Sequence, residues 1–120
     1  MWQYSQSSGR LSRDGIFIGF GYSGLGADKN QPADQDVRNQ GPIPQGEWSI
    51  GEAHDDETLG PCVMALTPYP GFDVFGRSGF FIHGDSAAHP GSASHGCIVL
   101  DHAVRNVIAT WGDPALTVVA

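Results

Sequence analysis

Frequent turn-forming residues constrain the fold of this chain more than any other feature of its sequence. Seventeen glycines and eight prolines among 120 residues cut it into short apolar segments, and such segments favour short strands over long helices. Near the end of the chain the period changes, because Val104, Val107, Ile108 and Trp111 share one face of an α-helix. The sequence therefore predicts a mainly β fold, a compact β-sandwich or β-barrel of short strands with one packed C-terminal α-helix.

Local signals place these elements along the chain. Asp14-Gly15 suits a turn with positive φ, Asp101 is predicted to cap the helix through its carboxylate, and Gly112 with Pro114 should end it. Residues 23–45 lack apolar periodicity, and we expect them to form a long loop over the surface near the functional site. The acidic segment 52–57 is expected to be an exposed loop. We predict strands at residues 2–5, 11–12, 16–22, 47–50, 62–67, 72–75, 79–83, 98–100 and 116–119.

Length and charge narrow the functional classes. A chain of this length is expected to form a single domain over residues 1–120. The formal net charge of −7 argues against a nucleic-acid backbone as a partner, and no apolar run is long enough for membrane insertion. The first residues have neither the basic nor the apolar region of a signal peptide, so we expect synthesis in the cytoplasm without one.

Residues 83–100 carry the side chains best suited to chemistry. His83 ends an apolar run, and Cys97 immediately precedes a second apolar run, Ile98-Val99-Leu100. If these runs are strands whose ends face each other, the imidazole can take the thiol proton and hold the thiolate as an ion pair, which lowers the pKa of the cysteine. We therefore predict Cys97 as nucleophile and His83 as base, with no cofactor or metal.

Neighbouring groups are expected to complete this site. Gly96 lets the backbone approach a bound carbonyl closely, and the amides of Gly96 and Cys97 are candidate oxyanion donors. The ring of His83 needs an orienting acceptor, which the carbonyl of Gly84 or the side chain of Asp85 could supply.

His95 competes with His83 for the role of base. It lies two residues before Cys97, so an extended backbone would place both side chains on one face. The alternative role for His95 is to shape the loop by hydrogen bonding.

Two further hypotheses stay open at this stage. A non-catalytic cell-wall or protein-binding module would leave Cys97 inert. A zinc hydrolase is conceivable, although no Cys-x-x-Cys or His-x-x-x-His pair is present to fix a tetrahedral corner. The possible ligands for zinc would be His83, Asp85, His89, His95 and Cys97.

Ser94-His95-Gly96-Cys97, preceded by a histidine at a strand end, resembles the signature of the L,D-transpeptidase superfamily of bacterial cell-wall enzymes. The segment Pro44-Gln45-Gly46-Glu47-Trp48 is similar to a turn that precedes a strand in that fold. The whole chain looks closest to a compact branch that includes toxins delivered by type VI secretion. Further matching segments are Trp2-Gln3-Tyr4, Gly9-Arg10-Leu11-Ser12, Gly41-Pro42-Ile43, Phe75-Gly76-Arg77-Ser78-Gly79-Phe80 and Ile82-His83-Gly84-Asp85.

This resemblance implies an activity, partners and a location. Cys97 would be acylated by a peptidoglycan stem peptide, and the terminal D-amino acid of tetrapeptide stems would be removed or exchanged. Peptidoglycan stem peptides, an immunity protein and possibly a component of the secretion machinery are the expected partners. The protein would be secreted and would act in the periplasm of a target bacterium.

The chain also departs from the superfamily pattern. Only ten residues separate His83 from Ser94, a shorter spacer than usual, and Val99-Leu100 replaces the common Asn-Arg. Arg77 is a candidate contact for the stem carboxylate, with an ordinary surface arginine as the equal alternative. Ser94 and His95 are expected to shape the turn before the cysteine.

Overall fold

The chain forms nine strands and one α-helix, which the computed structural model describes over residues 1–120. Two 3-10 turns, Gly26–Asp28 and Pro32–Asp34, interrupt the long segment after the third strand. The elements are, in chain order, β1 (Trp2–Ser5), β2 (Arg10–Arg13), β3 (Ile16–Ser23), β4 (Gly46–Ile50), β5 (His54–Asp56), β6 (Gly60–Pro68), β7 (Phe81–His83), β8 (Ile98–Leu100), α1 (His102–Trp111) and β9 (Ala115–Val119).

Eight of the strands close into a barrel. Their order is β4-β9-β1-β2-β3-β8-β7-β6, and β6 pairs back with β4 to complete the ring. β5 lies outside this ring and pairs with β6 alone. The pairs β1–β9 and β7–β8 are parallel, and the other pairs are antiparallel. The predicted mainly β fold with one C-terminal helix is confirmed, and closure of the ring makes it a barrel.

Large aromatic side chains fill the barrel interior. Trp2, Tyr4 and Trp48 are fully buried in one hydrophobic cluster. β7 and β8 contribute Ile82, Ile98 and Leu100 to the same cluster. Because side chains alternate along a strand, the residues on either side of Ile82 and Ile98 point away from the interior. This alternation decides which residues can form a site on the outer face of the barrel.

The C-terminal helix packs only in part through the predicted face, with Val104 partly buried against the core. Ile108 is buried, but Val107 and Trp111 are 39% and 58% exposed. Arg105 takes the buried position, since its guanidinium reaches main-chain carbonyls of neighbouring strands. α1 has ten residues, and no helix of the structure has the length and hydropathy needed to cross a membrane.

The ends of the helix follow the sequence signals only in part. Gly112 ends α1 in the left-handed region, with φ of 75°, and donates its amide hydrogen to the carbonyl of Ile108. Asp101 occupies the predicted capping position, but its carboxylate makes no capping hydrogen bond. The prediction of a side-chain cap at Asp101 was therefore wrong.

Three other local predictions need correction. Residues 72–75 form a turn and not a strand, because the Asp73 carboxylate accepts the Phe75 amide at 2.7 Å and Phe75 adopts φ of 58°. The predicted strand 79–83 is shortened to β7. The acidic segment 52–57 was predicted as a loop, yet residues 54–56 form the short strand β5 against β6.

Candidate active site

His83 and Cys97 lie on one face of two adjacent parallel strands. In the β7–β8 register, Ile82 is opposite Ile98 and His83 is opposite Val99. Cys97 directly precedes β8, so the same register carries it opposite Phe81, two positions from His83. Residues two apart share a face, and such diagonal neighbours are about 7–8 Å apart. The structure thus brings together the two residues that the sequence singled out, on the face opposite the core.

His83 is held as a neutral imidazole with one nitrogen available. The side chain is only 3% exposed, and its Nδ1 lies 2.7 Å from the carbonyl oxygen of Gly84. A carbonyl can only accept, so Nδ1 carries the hydrogen and Nε2 keeps its lone pair. Burial lowers the pKa of His83, and the charge of Arg105 lowers it further, against the opposing effects of Gly84 and Asp85. Near neutral pH this histidine can accept a proton.

Cys97 is held as a thiol. Its Sγ is directed at the carbonyl oxygen of Gly79, 3.6 Å away. Burial raises the pKa of the Cys97 thiol, and the amide of Phe81 and the charge of Arg77 oppose that effect. The sequence predicted a thiolate–imidazolium pair with a lowered cysteine pKa. The structure corrects this prediction, because burial makes the neutral thiol and neutral imidazole the resting forms.

Ser94 organises the turn that carries Cys97. The side chain is fully buried, and its hydroxyl donates to the carbonyl of Cys97 at 2.6 Å. The same oxygen accepts the amides of Gly24 at 2.9 Å and Gly96 at 3.1 Å. One hydroxyl therefore uses its donor and both acceptor positions to tie the turn to the chain beyond β3.

The structure gives Gly96 a different part from the predicted one. Its amide is already engaged with Ser94, and its carbonyl accepts the hydroxyl of Ser23 at 3.0 Å. Gly96 adopts φ of 137°, and a Cβ there would lie 2.5 Å from Nη2 of Arg77. The prediction of its amide as an oxyanion donor was wrong, because that hydrogen has a buried partner. Of the two predicted donors, the amide of Cys97 remains.

Arg77 is neither a surface arginine nor a group available to a substrate carboxylate. It is 6% exposed, and its guanidinium packs 5.2 Å from the centre of the Phe80 ring. All of its hydrogen-bond acceptors are main-chain carbonyls, which belong to Gln35, Gly41, Pro42 and His95. Both alternatives predicted for Arg77 are therefore corrected. The residue joins the long loop 23–45 to the turn before Cys97.

Asp85 organises the loop that follows His83. Its carboxylate accepts the hydroxyl of Tyr22 at 2.6 Å and the amides of Ser86 and Gly91. Tyr22 in turn accepts the amide of Ala93 at 3.0 Å. Between the two predicted partners for the His83 ring, the structure gives the hydrogen bond to Gly84.

The remaining histidines lie outside this pair. His95 is exposed, and its Nδ1 lies 3.1 Å from the carbonyl of Asn39. His54, His89 and His102 are also exposed. The structure gathers no group of three or more His, Cys, Asp or Glu side chains suited to a metal ion, so the zinc hypothesis lacks a ligand set.

A cleft of about 270 Å³ opens beside His83. The turn between β5 and β6 supplies Thr58 and Leu59 to one wall, and the loop after β7 supplies the other. Sequence reasoning missed these two residues and Arg105, since no motif or period marks them. Cys97 does not line this cleft, and the two larger surface pockets, which lie along α1, are lined by neither His83 nor Cys97. The cleft lining comprises Thr58, Leu59, His83, Gly84, Asp85, Ser86 and Ala93.

The site consists of a thiol and an imidazole on one face of two adjacent parallel strands in a closed β-barrel. It belongs to the class of candidate cysteine–histidine sites. A family model described as the Tlde1 domain matches residues 19–111, which include β3, the long loop, both strands of the site and α1. The chain belongs to the Tlde1 domain family, a family of type VI secretion effectors. No curated protein shows significant similarity to it.

Proposed function

We propose that this protein is a cysteine acyl-transfer enzyme that removes or exchanges the terminal D-Ala of peptidoglycan tetrapeptide stems. It would be an L,D-carboxypeptidase or L,D-transpeptidase that acts as an antibacterial toxin. The observation that carries the proposal is the placement of His83 and Cys97 on one face of β7 and β8, with an open cleft beside His83. Membership of a type VI effector family supports the toxin role.

The reaction begins from the neutral pair. Nε2 of His83 takes the proton of the Cys97 thiol as the sulfur attacks the carbonyl of the L-centre before the terminal D-Ala, which we take to be diaminopimelate. The tetrahedral intermediate collapses, and the C–N bond breaks. The imidazolium returns its proton to the leaving amine, so D-Ala departs and a thioester on Cys97 remains.

The second half-reaction decides the product. Water attacks the thioester and yields a tripeptide carboxylate and the free thiol, which is carboxypeptidation. The amine of a free D-amino acid, or of a second stem, attacks the same thioester and yields an exchanged or cross-linked stem. The accessible wall formed by Thr58 and Leu59 is where the acceptor would enter.

Location and partners follow from the same proposal. The substrate lies in the periplasm of a target bacterium, which the protein would reach through the secretion machinery. A producing cell that contains the same peptidoglycan needs an immunity protein against it.

Digestion of purified tetrapeptide muropeptides, followed by mass spectrometry, tests the activity. We expect tripeptide in buffer alone and an exchanged product when a free D-amino acid is added. Cys97→Ala should remove all turnover, and His83→Gln should lower kcat by at least about 10²-fold, as is typical for the loss of a general base.

Cys62→Ala is the matched control, because Cys62 lies on β6 and contacts Arg105 through its carbonyl only. It should retain turnover. Absence of both products from the folded wild-type protein, or full turnover by Cys97→Ala, would contradict the proposed function.

A further inference from the structure

Arg77 places a positive charge beside the turn that carries Cys97, without an acidic partner. Its four hydrogen-bond acceptors are neutral carbonyls, and it takes part in none of the ion pairs of the structure. Gly96, the residue before Cys97, lies directly against Nη2 of the guanidinium. Asp36 acts on Arg77 through its charge but forms no ion pair with it, and a buried cation without a paired carboxylate acts strongly on its neighbours.

We propose that Arg77 is a positioning residue for Cys97, which holds the turn before the nucleophile and stabilises the thiolate form of its sulfur by charge. The inference rests on the proposed function only in naming Cys97 as the nucleophile. It assigns to Arg77 a role in the reactivity of the thiol and none in binding the substrate.

The mechanical part of this role follows from the contacts of the guanidinium. Nη2 bridges the carbonyls of Gly41 and His95, at 2.8 Å and 3.3 Å. Those carbonyls belong to the long loop and to the turn, so one planar group fixes the distance between the two segments. Gly96 has no Cβ, which lets the turn approach the guanidinium this closely.

The electrostatic part follows from the surroundings of the sulfur. Arg77 is the charged group that favours the thiolate, against a burial that raises the pKa of Cys97. His83 on β7 is the titratable neighbour and is neutral at rest, while the ring of His95 is engaged by Asn39. Asp36 acts on Arg77 and not on the sulfur. Removing Arg77 would therefore leave only the amide of Phe81 to oppose the effect of burial on the sulfur.

Arg105 provides a matched comparison for the experiment. It is also buried, at 4% exposure, and it donates to the carbonyls of Pro61, Cys62 and Leu100. Its charge acts on His83 and does not act on Cys97. Loss of Arg105 removes a comparable set of hydrogen bonds but should not raise the pKa of the thiol.

The test is the pH dependence of Cys97 alkylation by iodoacetamide, in a Cys62→Ala background that leaves one thiol. We expect Arg77→Gln to raise the midpoint by about one pH unit, the lower end of the effect of a close opposite charge. The alkylation rate below the midpoint should then fall about tenfold. Arg105→Gln should leave the midpoint unchanged or lower. No peptidoglycan is needed, so the outcome is independent of the proposed reaction.

Arg77→Lys separates the effect of the charge from that of the hydrogen bonds. It is also the variant to measure if Arg77→Gln does not fold. Lysine keeps the charge but cannot reproduce the planar set of hydrogen bonds. We expect a lower melting temperature with a midpoint close to that of the wild type. A folded Gln variant with an unchanged midpoint, or a folded Lys variant whose midpoint rises by a full unit, would overturn the proposal.

Discussion

The two sides of the site are built alike around a buried arginine, and each arginine acts to lower the pKa of its neighbour, with opposite consequences for the charged form of that neighbour. Arg105 lies behind His83 and Arg77 beside Cys97, and both donate only to main-chain carbonyls. The first disfavours imidazolium, and the second favours thiolate. Arg77 therefore favours the thiolate that proton transfer forms, whereas Arg105 keeps His83 unprotonated at rest but makes it a weaker base. Two structurally similar buried arginines can thus shift the protonation of two different side chains in one site.

Each arginine also presses against a glycine, and substitutions there give the largest expected effect. A Cβ at Gly96 would lie 2.5 Å from Nη2 of Arg77, and one at Gly84 would lie 2.8 Å from Nη1 of Arg105. Gly96 alone has positive φ, so Gly96→Ala adds backbone strain to the clash. We expect it to lower the free energy of unfolding by about 3 kcal/mol or more, and Gly84→Ala by about 1–2 kcal/mol. Urea denaturation measures both.

Gly79→Ala is the control for backbone strain, because Gly79 has φ of 77° and open space around its missing Cβ. It should cost about 1 kcal/mol. A cost for Gly96→Ala no greater than for Gly79→Ala would show that the contact with Arg77 is not close packing.

The next largest loss of stability is expected from a substitution of Ser94, on the Cys97 side of the site. Ser94→Ala leaves the amides of Gly24 and Gly96 and the carbonyl of Cys97 without their shared partner. We expect a loss of about 2–3 kcal/mol in the free energy of unfolding. Ser92→Ala, at an exposed hydroxyl of the same loop, should cost less than about 0.5 kcal/mol. Equal costs at the two serines would contradict the role given to Ser94.

The His83 side is tested by pH, with a smaller effect. The pKa of His83 is lowered from 6.5, so the base is active above that lowered pKa, and kcat/KM should fall as pH drops through it. The free energy of unfolding should also fall as pH drops. The stabilisation from the neutral His83 ring is complete above pH 6.5 and is lost as pH falls towards the folded-state pKa. Arg105→Gln should move the acid limb upward by roughly half a unit. A downward move would contradict the assigned effect of Arg105.

The smallest effect is expected at Asp85, which the structure places in the loop and not on the His83 ring. Asp85→Asn keeps an acceptor for Tyr22 and for the loop amides. We expect kcat/KM within about threefold of the wild type and a melting temperature within about 2 °C. Tyr22→Phe removes the hydroxyl that joins Asp85 to the amide of Ala93, and its kcat/KM should stay within the same range. A loss above tenfold would make Asp85 a partner of His83.

Local sequence signals accounted for most of the fold. Alternation and turn residues located eight of the strands, and the Gly112 signal placed the end of the helix correctly. The segment 72–75 failed because an aspartate-capped turn competes with an apolar pattern that looks like a strand. The prediction of the buried helix face was only partly right, because Arg105 gains buried carbonyl partners while Val107 and Trp111 lie at the surface. Such competition depends on contacts that no short window contains.

The candidate site could likewise be predicted from the sequence only in part. The choice of His83 and Cys97 could be made from the sequence, because each lies beside an apolar run. Their arrangement could not, since the two runs pair in parallel and place the residues at opposite strand ends, as diagonal neighbours on one face. The partners of Arg77, Ser94 and Gly96 could not be anticipated either, since they come from residues 23–42, which carry no periodic signal. The same is true of the cleft wall at Thr58 and Leu59.

By itself, the sequence determined a strand-rich chain with one C-terminal helix, and a histidine and a cysteine at two strand ends. Spacing and alternation suffice for this, because they are local properties of the backbone. Tertiary structure decided the closure of the barrel, the protonation of the pair and the roles of Arg77 and Arg105. These depend on burial and on charge at short range, and both arise only when segments distant in the chain pack together.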